Sequence, residues 1–526
     1  MKISTISKEN SDSLFDLINS MSKSEKRHFK IFATRRESNK DAKFLRLFDH
    51  IEKQNKYDEN RILLSDKEIQ PQQLPNLKAY LYNYILVSLR NNNPNDDLDI
   101  KVRELLDFAK ILYNRCLFES CLKTLAKAKQ MVEKFEKNIF LLEITDLEKK
   151  LVTKIMRTDF KKRADSLIEE SNRNNKTMDN ICKFSNLWVR FYSYYLDYGF
   201  IRNQKDYSEA VNFLNNNMPQ VEESLLSLDE KMYLYNSLIA FYLFIHDFDN
   251  AYDYSKKCLI LFTDNPDKIL SRLDFYIKAI NNLMTTQSKL NKLKEFTETG
   301  KMYGKISEMS GPPNTLNNRI LIFKYSSIHR INRFYMLGSF SEGVKIIPDI
   351  ANRLEKFGSL IDEHYTLIFY YKFACMYFGK EDYSRANYWL NKIINAGNID
   401  FRSDIQVFTR ILSLICHYEQ ENTEQMEYFI RSTYRFILKN ESMQGFNKII
   451  LRFLKKLNYI TTDKLIESFT ILKKQLEPLS IDPYQKRAFI YFDSISWLES
   501  KIINKPVQEI IEEKAKVRIR ESELNI

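Results

Sequence analysis

Glycine and proline are scarce in this chain, with 10 Gly and 11 Pro among 526 residues. Ordinary usage is about 7% and 5%. A sheet-rich fold full of tight turns, or a long disordered chain, needs more turn residues than that. Cysteine is scarce too: six in a chain of this length build no disulfide scaffold. Long apolar runs are missing. The most apolar stretch, Tyr365 to Phe378, is short and carries Lys372, so it reads as a buried helix and not a membrane span. The first residues reach Glu9, Asp12 and Asp16 with no apolar core before them. No secretory signal is therefore expected, and the reduced cytoplasm is the expected compartment.

Motifs of catalysis are missing as well. The sequence has no G-x-G-x-x-G, no G-x-x-x-x-G-K-S/T and no G-x-S-x-G. None of the six histidines sits in an H-E-x-x-H pair, and Cys116 and Cys121 lack the two-residue gap of a zinc knuckle. His246-Asp247 reads as a polar turn between helices. The acidic sets Glu222-Glu223, Glu419 with Glu421, and Glu512-Glu513 read as solvated helix faces. The expectation is a protein that is not an enzyme, with no cofactor and no metal.

What is present is apolar and aromatic. Hydrophobic residues make up 44% of the chain and charged residues 29%, enough for a large core inside a soluble surface. There are 36 Phe, 31 Tyr and 3 Trp. With so little glycine, these rings belong in the seams of packed helices. The fold class expected is all-α.

The chain is periodic in pattern. An aromatic residue followed three positions later by a small one recurs after short breaks: Phe118 and Cys121, Tyr207 and Ala210, Phe248 and Ala251, Phe340 and Gly343, Tyr383 and Ala386. A small residue at the start of a helix lets two helices cross closely. Ala164 falls 43 residues after Cys121; the other intervals are 41, 43 and a double step of 92. A hairpin every 41 to 46 residues predicts an α-solenoid of antiparallel helical hairpins. Residues 1–95 read as a small N-terminal helical cap domain, 96–475 as the hairpin stack, and 476–526 as C-terminal helices ending in a charged, frayed tail. Further hairpins are expected near 405–440 and 442–475.

The clearest unit runs from Tyr370 to Ile394. Tyr370, Phe373, Ala374 and Tyr377 line one helix, and Ala386, Leu390 and Ile393 the next. This unit resembles a tetratricopeptide repeat, with Ile393 where that family usually has alanine. A second unit holds Leu238, Tyr242, Phe248, Ala251, Ser255 and Cys258, with Ile239 at a position normally small. Ala109, Cys121, Leu125 and Ala128 form a third, weaker one. The resemblance implies a non-catalytic scaffold that holds a protein or peptide partner on a concave surface.

Net charge is +12, and two stretches concentrate it. Lys23 to Arg46 holds nine basic residues against three acidic ones, with Lys23, Arg27 and Lys30 on one side of a helix and Arg35 and Arg36 beyond. A capping box, Ser22 with Glu25, opens that helix. The second stretch, Ser310 to Ser341, has no acid and carries Arg319, Lys324, Arg330 and Arg333 with His329. These nine side chains are the candidate partner-binding residues. They support an alternative function, a nucleic-acid-binding or regulatory protein.

Overall fold

The computed structural model describes residues 12–36, 43–92, 97–155, 159–308, 315–396, 401–422, 426–439, 445–457 and 460–524. Among these the secondary structure is helical, with no strand. No helix among them is long and apolar enough to cross a membrane. The chain divides into two compact units. One comprises residues 1–134 with 146–158, the other residues 135–145 with 159–526.

The first unit begins with helices Ser13–Ser20 and Lys23–Arg36. The capping box forms: the Ser22 amide donates to Glu25 at 2.6 Å, and the Glu25 amide donates to Ser22 Oγ at 3.2 Å. Phe29, Leu47, Phe48, Ile51, Leu81 and Ile85 are fully buried together. Phe29 packs against Phe48 with tilted rings 4.8 Å apart and meets Tyr84 edge-on. Helices Leu98–Asn114 and Phe118–Phe135 follow as a hairpin, seamed where Cys121 Sγ donates to the Ala109 carbonyl at 3.1 Å. Residues 93–96, which span the expected boundary at 95, and the basic residue Lys40 lie outside the described residues.

In the second unit, helices pack mainly on their sequence neighbours: Leu228–Phe244 on Phe248–Thr263, Leu273–Lys289 on Leu293–Glu308, Glu363–Gly379 on Tyr383–Ile394, and Ser403–Glu419 on Met426–Lys439. The expected apolar helix is Glu363–Gly379, and it is buried on nearly every side. Ala386 and Leu390, on the helix packed against it, are fully buried, and so is Ala251 in its own hairpin. Gly343 sits so close to the Glu363–Gly379 helix that a Cβ there would stand 2.6 Å from Met376 Sδ.

One turn recurs. Cys116, His246, Asn291, Gly338, Glu381 and Glu421 all have positive φ, between 55° and 72°. At each, the next residue's amide donates five positions back: Leu117 to Leu112, Asp247 to Tyr242, Lys292 to Gln287, Ser339 to Phe334, Asp382 to Tyr377, and Asn422 to His417. This is the six-to-one bond of a Schellman-type helix end. The last five turns are 45, 47, 43 and 40 residues apart, as their numbers show. Cys121, Ala251, Gly343 and Ala386 each lie five residues after their turn residue. The skipped step inside the 92-residue interval is the Asn291 turn, where the corresponding position is Phe296.

Two expectations need correction. Ala164 starts no new hairpin, because it lies near the beginning of one continuous helix, Phe160–Tyr198, of 39 residues. The charged tail is not frayed. Residues Val507–Leu524 form a helix that buries Val507, Ile510, Ile511 and Ala515. Its bases were visible in the sequence, but its apolar stripe was diluted by the charges between.

The stretch from 482 onward also touches the recurrent turns. Lys486 donates to the His246 carbonyl at 3.2 Å, and the Val507 amide to Glu381 at 3.1 Å. Gln508 accepts from the Ser341 amide at 3.0 Å, and Arg518 donates to Asn291 at 3.0 Å. At Gly338, with φ +72°, a Cβ would approach the Glu512 backbone nitrogen to 2.7 Å. Glu419 accepts from Trp497 Nε1 at 2.7 Å and binds Lys501, so it is not a solvated face residue.

Candidate functional site

The first helices of four successive hairpins in the second unit carry polar residues in otherwise apolar surroundings. A hydrogen-bonded chain joins them. Lys372 Nζ donates to Asn332 Oδ1 at 2.6 Å. Asn332 Nδ2 lies 3.5 Å from His329 Nδ1, and His329 Nε2 lies 3.0 Å from Asn281 Oδ1. Asn281 donates to Asn282 at 3.4 Å, Asn282 to Asn236 at 3.2 Å, and Asn236 to the Met232 carbonyl at 2.8 Å. The ladder crosses helices Leu228–Phe244, Leu273–Lys289, Leu316–Leu337 and Glu363–Gly379.

One tautomer satisfies every link. With the proton of His329 on Nε2, its Nδ1 accepts from Asn332, and each group donates to the next from Lys372 down to Met232. Aligned hydrogen bonds of this kind polarise one another. A proton on His329 Nδ1 would face the Asn332 amide donor. Burial, and then the nearby Lys372 ammonium, push His329 down to about 3, so the neutral form is the one held.

His329 and Asn236 are buried, whereas Asn281, Asn282, Asn332, Lys372 and Lys289 are half-buried. The ladder therefore presents one edge to solvent. Burial pushes Lys372 down to about 8. Lys289 is pushed to about 7, first by burial and then by the positive charges of Lys372 and Arg402.

A second polar cluster is closed. Arg402 donates to Asp404 at 2.8 and 2.9 Å, to Tyr195 at 3.0 Å and to Tyr491 at 3.3 Å, and His364 Nδ1 stands 3.4 Å away. Tyr491 donates to Asp404. Burial would raise the Asp404 carboxyl, but the guanidinium and the Tyr491 hydroxyl outweigh it and hold it low. Burial and the Arg402 charge push His364 down to about 3. The cavity beside Arg202, Asp404, Phe408 and Arg487 measures about 10 Å³, room for one water. This cluster joins chain segments near 195, 402 and 491; its groups face one another and leave no room for a substrate.

The nine sequence-derived candidates fall in different settings. In the first unit Lys23 and Arg27 are exposed, with no ion pair among the described residues. Lys30 pairs with Asp49 and Glu52, each at 2.8 Å. The side chains of Arg35 and Arg36 lie outside the described residues. In the second unit Arg319, Arg330 and Arg333 are exposed along one side of helix Leu316–Leu337, also without ion pairs among the described residues. Lys324 is buried, 3.0 Å from Asp362 and 3.8 Å over the Tyr365 ring.

Sequence reasoning passed over Lys289, Asn281, Asn282 and Asn332. A signal was present. Asn282, His329 and Lys372 each precede their own turn residue, Asn291, Gly338 and Glu381, by nine positions. Polar residues at one register of consecutive repeats share a face. Among the described residues no group of His, Cys, Asp and Glu has the arrangement of a metal site. In comparison with known proteins, the chain matches no family model and no curated protein.

Proposed function

We propose that residues 159–481 form an α-solenoid of degenerate tetratricopeptide-like hairpins, and that the protein is a non-catalytic scaffold binding a protein or peptide segment along the ladder face. The observation that carries this reading is the ladder: polar side chains at one register of successive hairpins, with solvent-reached edges on Asn281, Asn282 and Asn332. The recurrent turn supports the hairpin stack. Asparagine amides offer a donor and an acceptor together, which matches the backbone of an extended segment. In repeats that contact only their neighbours, such a face extends as far as the stack does. The scaffold acts in the cytoplasm on this reading.

A peptide array probed with the purified chain tests it. Peptides that bind should lose affinity about tenfold or more when Asn282 and Asn332 are both changed to Ala, at about 1.4 kcal/mol per tenfold. Binding that ignores both substitutions sinks the reading.

Lys23 and Arg27, exposed and without an ion pair among the described residues, favour a second reading, nucleic-acid binding through the first unit. That unit carries 29 basic and 21 acidic residues, two thirds of the net charge of the chain. Retention on DNA or RNA that falls steeply between two salt concentrations would support it, and retention indifferent to salt would count against it.

A further inference from the structure

Two hairpins of the second unit share an arrangement of rings and a lysine. An aromatic residue stands eleven positions before the turn residue, a second ring eight after it, and a lysine eleven after it. These are Tyr235, Tyr254 and Lys257 about His246, and Tyr370, Trp389 and Lys392 about Glu381. In both, the lysine reaches over the rings. Lys257 Nζ lies 5.8 Å from the centre of the Tyr235 ring and 5.1 Å from that of Tyr254. Lys392 Nζ lies 5.3 Å from Tyr370, 4.8 Å from Trp389 and 5.0 Å from a third ring, Tyr388.

The two differ in what answers the charge. Lys257 has a carboxylate: Glu223 stands 3.3 Å away and is itself held by the Tyr235 hydroxyl, which donates to it at 2.6 Å. Lys392 is exposed and has no ion pair among the described residues; its printed contacts there are with the three rings. Fixing a lysine in one place forfeits much of its rotamer freedom. A cation–π contact at an exposed site returns little. Lys392 is therefore a replaceable occupant.

The walls do not depend on it. Trp389 is half-buried and meets the fully buried Phe373 edge-on at 4.9 Å. Tyr370 lies 5.4 Å from Trp389, and Tyr388 lies 5.1 Å from it with the ring planes at 78°. Three rings thus surround one point, and Tyr388, 55% exposed, keeps that point open to solvent. Tyr370 and Lys372 are two positions apart, which is roughly 200° around a helix. The rings accordingly sit on the side turned from the ladder.

We propose that Tyr370, Tyr388 and Trp389 form a binding site for a quaternary ammonium group, which enters by displacing Lys392. Such a group has no N–H to satisfy, whereas the lysine ammonium is strongly hydrated and gives up more water to lie among rings. Aromatic rings around one point suit this kind of cation. The chemistry is the same whether the group is a free small molecule or a trimethylated lysine on a polypeptide segment.

Ligand-observed nuclear magnetic resonance on the full chain tests it, with choline and with its neutral isostere, in which carbon replaces the nitrogen. The expected result for a small molecule is saturation transfer to the choline methyls that levels off with concentration, and none to the isostere. Tyr388→Ala, at an exposed position, should weaken binding about tenfold or more. Lys392→Ala clears the rings and should strengthen it about two- to fivefold. If choline shows no transfer, a glycine-serine peptide carrying one trimethyl-lysine is compared with the same peptide carrying plain lysine. Tenfold tighter binding of the trimethylated form by wild type, lost in Tyr388→Ala, assigns the group to a segment. Equal transfer to choline and the isostere, binding untouched by Tyr388→Ala, or binding not strengthened by Lys392→Ala overturns the site. So does a chain that, as wild type and as Lys392→Ala, ignores choline and does not prefer the trimethylated peptide. Far-ultraviolet circular dichroism of each variant confirms the helical fold before any result is read.

Discussion

The basic helix of the first unit and the interior lysines of the second make opposite use of positive charge. Lys23 to Arg46 is dense in bases, yet distant acids fold against several of them. Lys30 meets Asp49 and Glu52, Lys26 meets Glu52, and Arg46 meets Asp66 and Glu68. Lys289 and Lys372 are two isolated letters in apolar helices, and no acid among the described residues comes to them. Local charge count is thus a poor guide to where charge stays unbalanced. What decides is which carboxylates the tertiary fold brings near.

The sharpest way to test that contrast is to create a third unbalanced cation on purpose. Asp404→Ala strips the buried Arg402 of its counter-charge, and urea unfolding should show a loss of about 3–5 kcal/mol. Asp362→Asn is milder. It keeps the N-cap of helix Glu363–Gly379, which accepts from the Tyr365 amide at 2.9 Å, but withdraws the charge facing Lys324. A loss of about 1.5–3 kcal/mol is expected from the same measurement.

A pH series separates the paired set from the unpaired set. Lys289 and Lys372 have folded values near 7 and 8, below the unfolded 10.5. Between those limits the unfolded chain binds more protons than the folded one, so their contribution makes stability rise with pH from about 7 toward 10. Lys30 shifts the other way: burial alone would lower it, but Asp49 and Glu52 overcome that and raise it. Its contribution is present at neutral pH and is lost only as the pH climbs past the ordinary lysine range. Urea midpoints of Lys289→Met across pH 7 to 10 should therefore climb less than those of wild type. Equal slopes would erase the distinction. The smallest effect is expected from Lys30→Ala: an exposed pair is worth about 0–1 kcal/mol, and the difference should shrink further in high salt.

Much of the helical architecture could be read from the sequence, for a stated reason. A small residue five positions after a turn is required wherever two helices cross closely, so Cys121, Ala251, Gly343 and Ala386 mark their turns. The rule failed where that requirement is relaxed. Phe296 fills the same register with a ring, and the step went uncounted. Ala164 is small but lies inside a long helix, where alanine is favoured for its own sake. The turns themselves were hidden because five of the six left-handed positions are not glycine: Cys116, His246, Asn291, Glu381 and Glu421 take that role, and only Gly338 announces it. The ladder was legible only as a register, not as a motif. Single Asn, His and Lys residues about 45 positions apart carry no local signal, and only alignment of the turns brings them to one line.

The closed cluster around Arg402 has a kinetic consequence. Neighbouring hairpins are local structures, and helical proteins rich in local contacts fold quickly. Arg402 and Tyr195 are 207 residues apart in the chain, and Tyr484 bonds Gln204 across 280. Those contacts close only after the intervening helices are in place. Refolding should accordingly show fast gain of helix followed by a slower phase in which the tyrosines near Arg402 lose access to solvent, and the second phase alone should vanish in Tyr491→Ala.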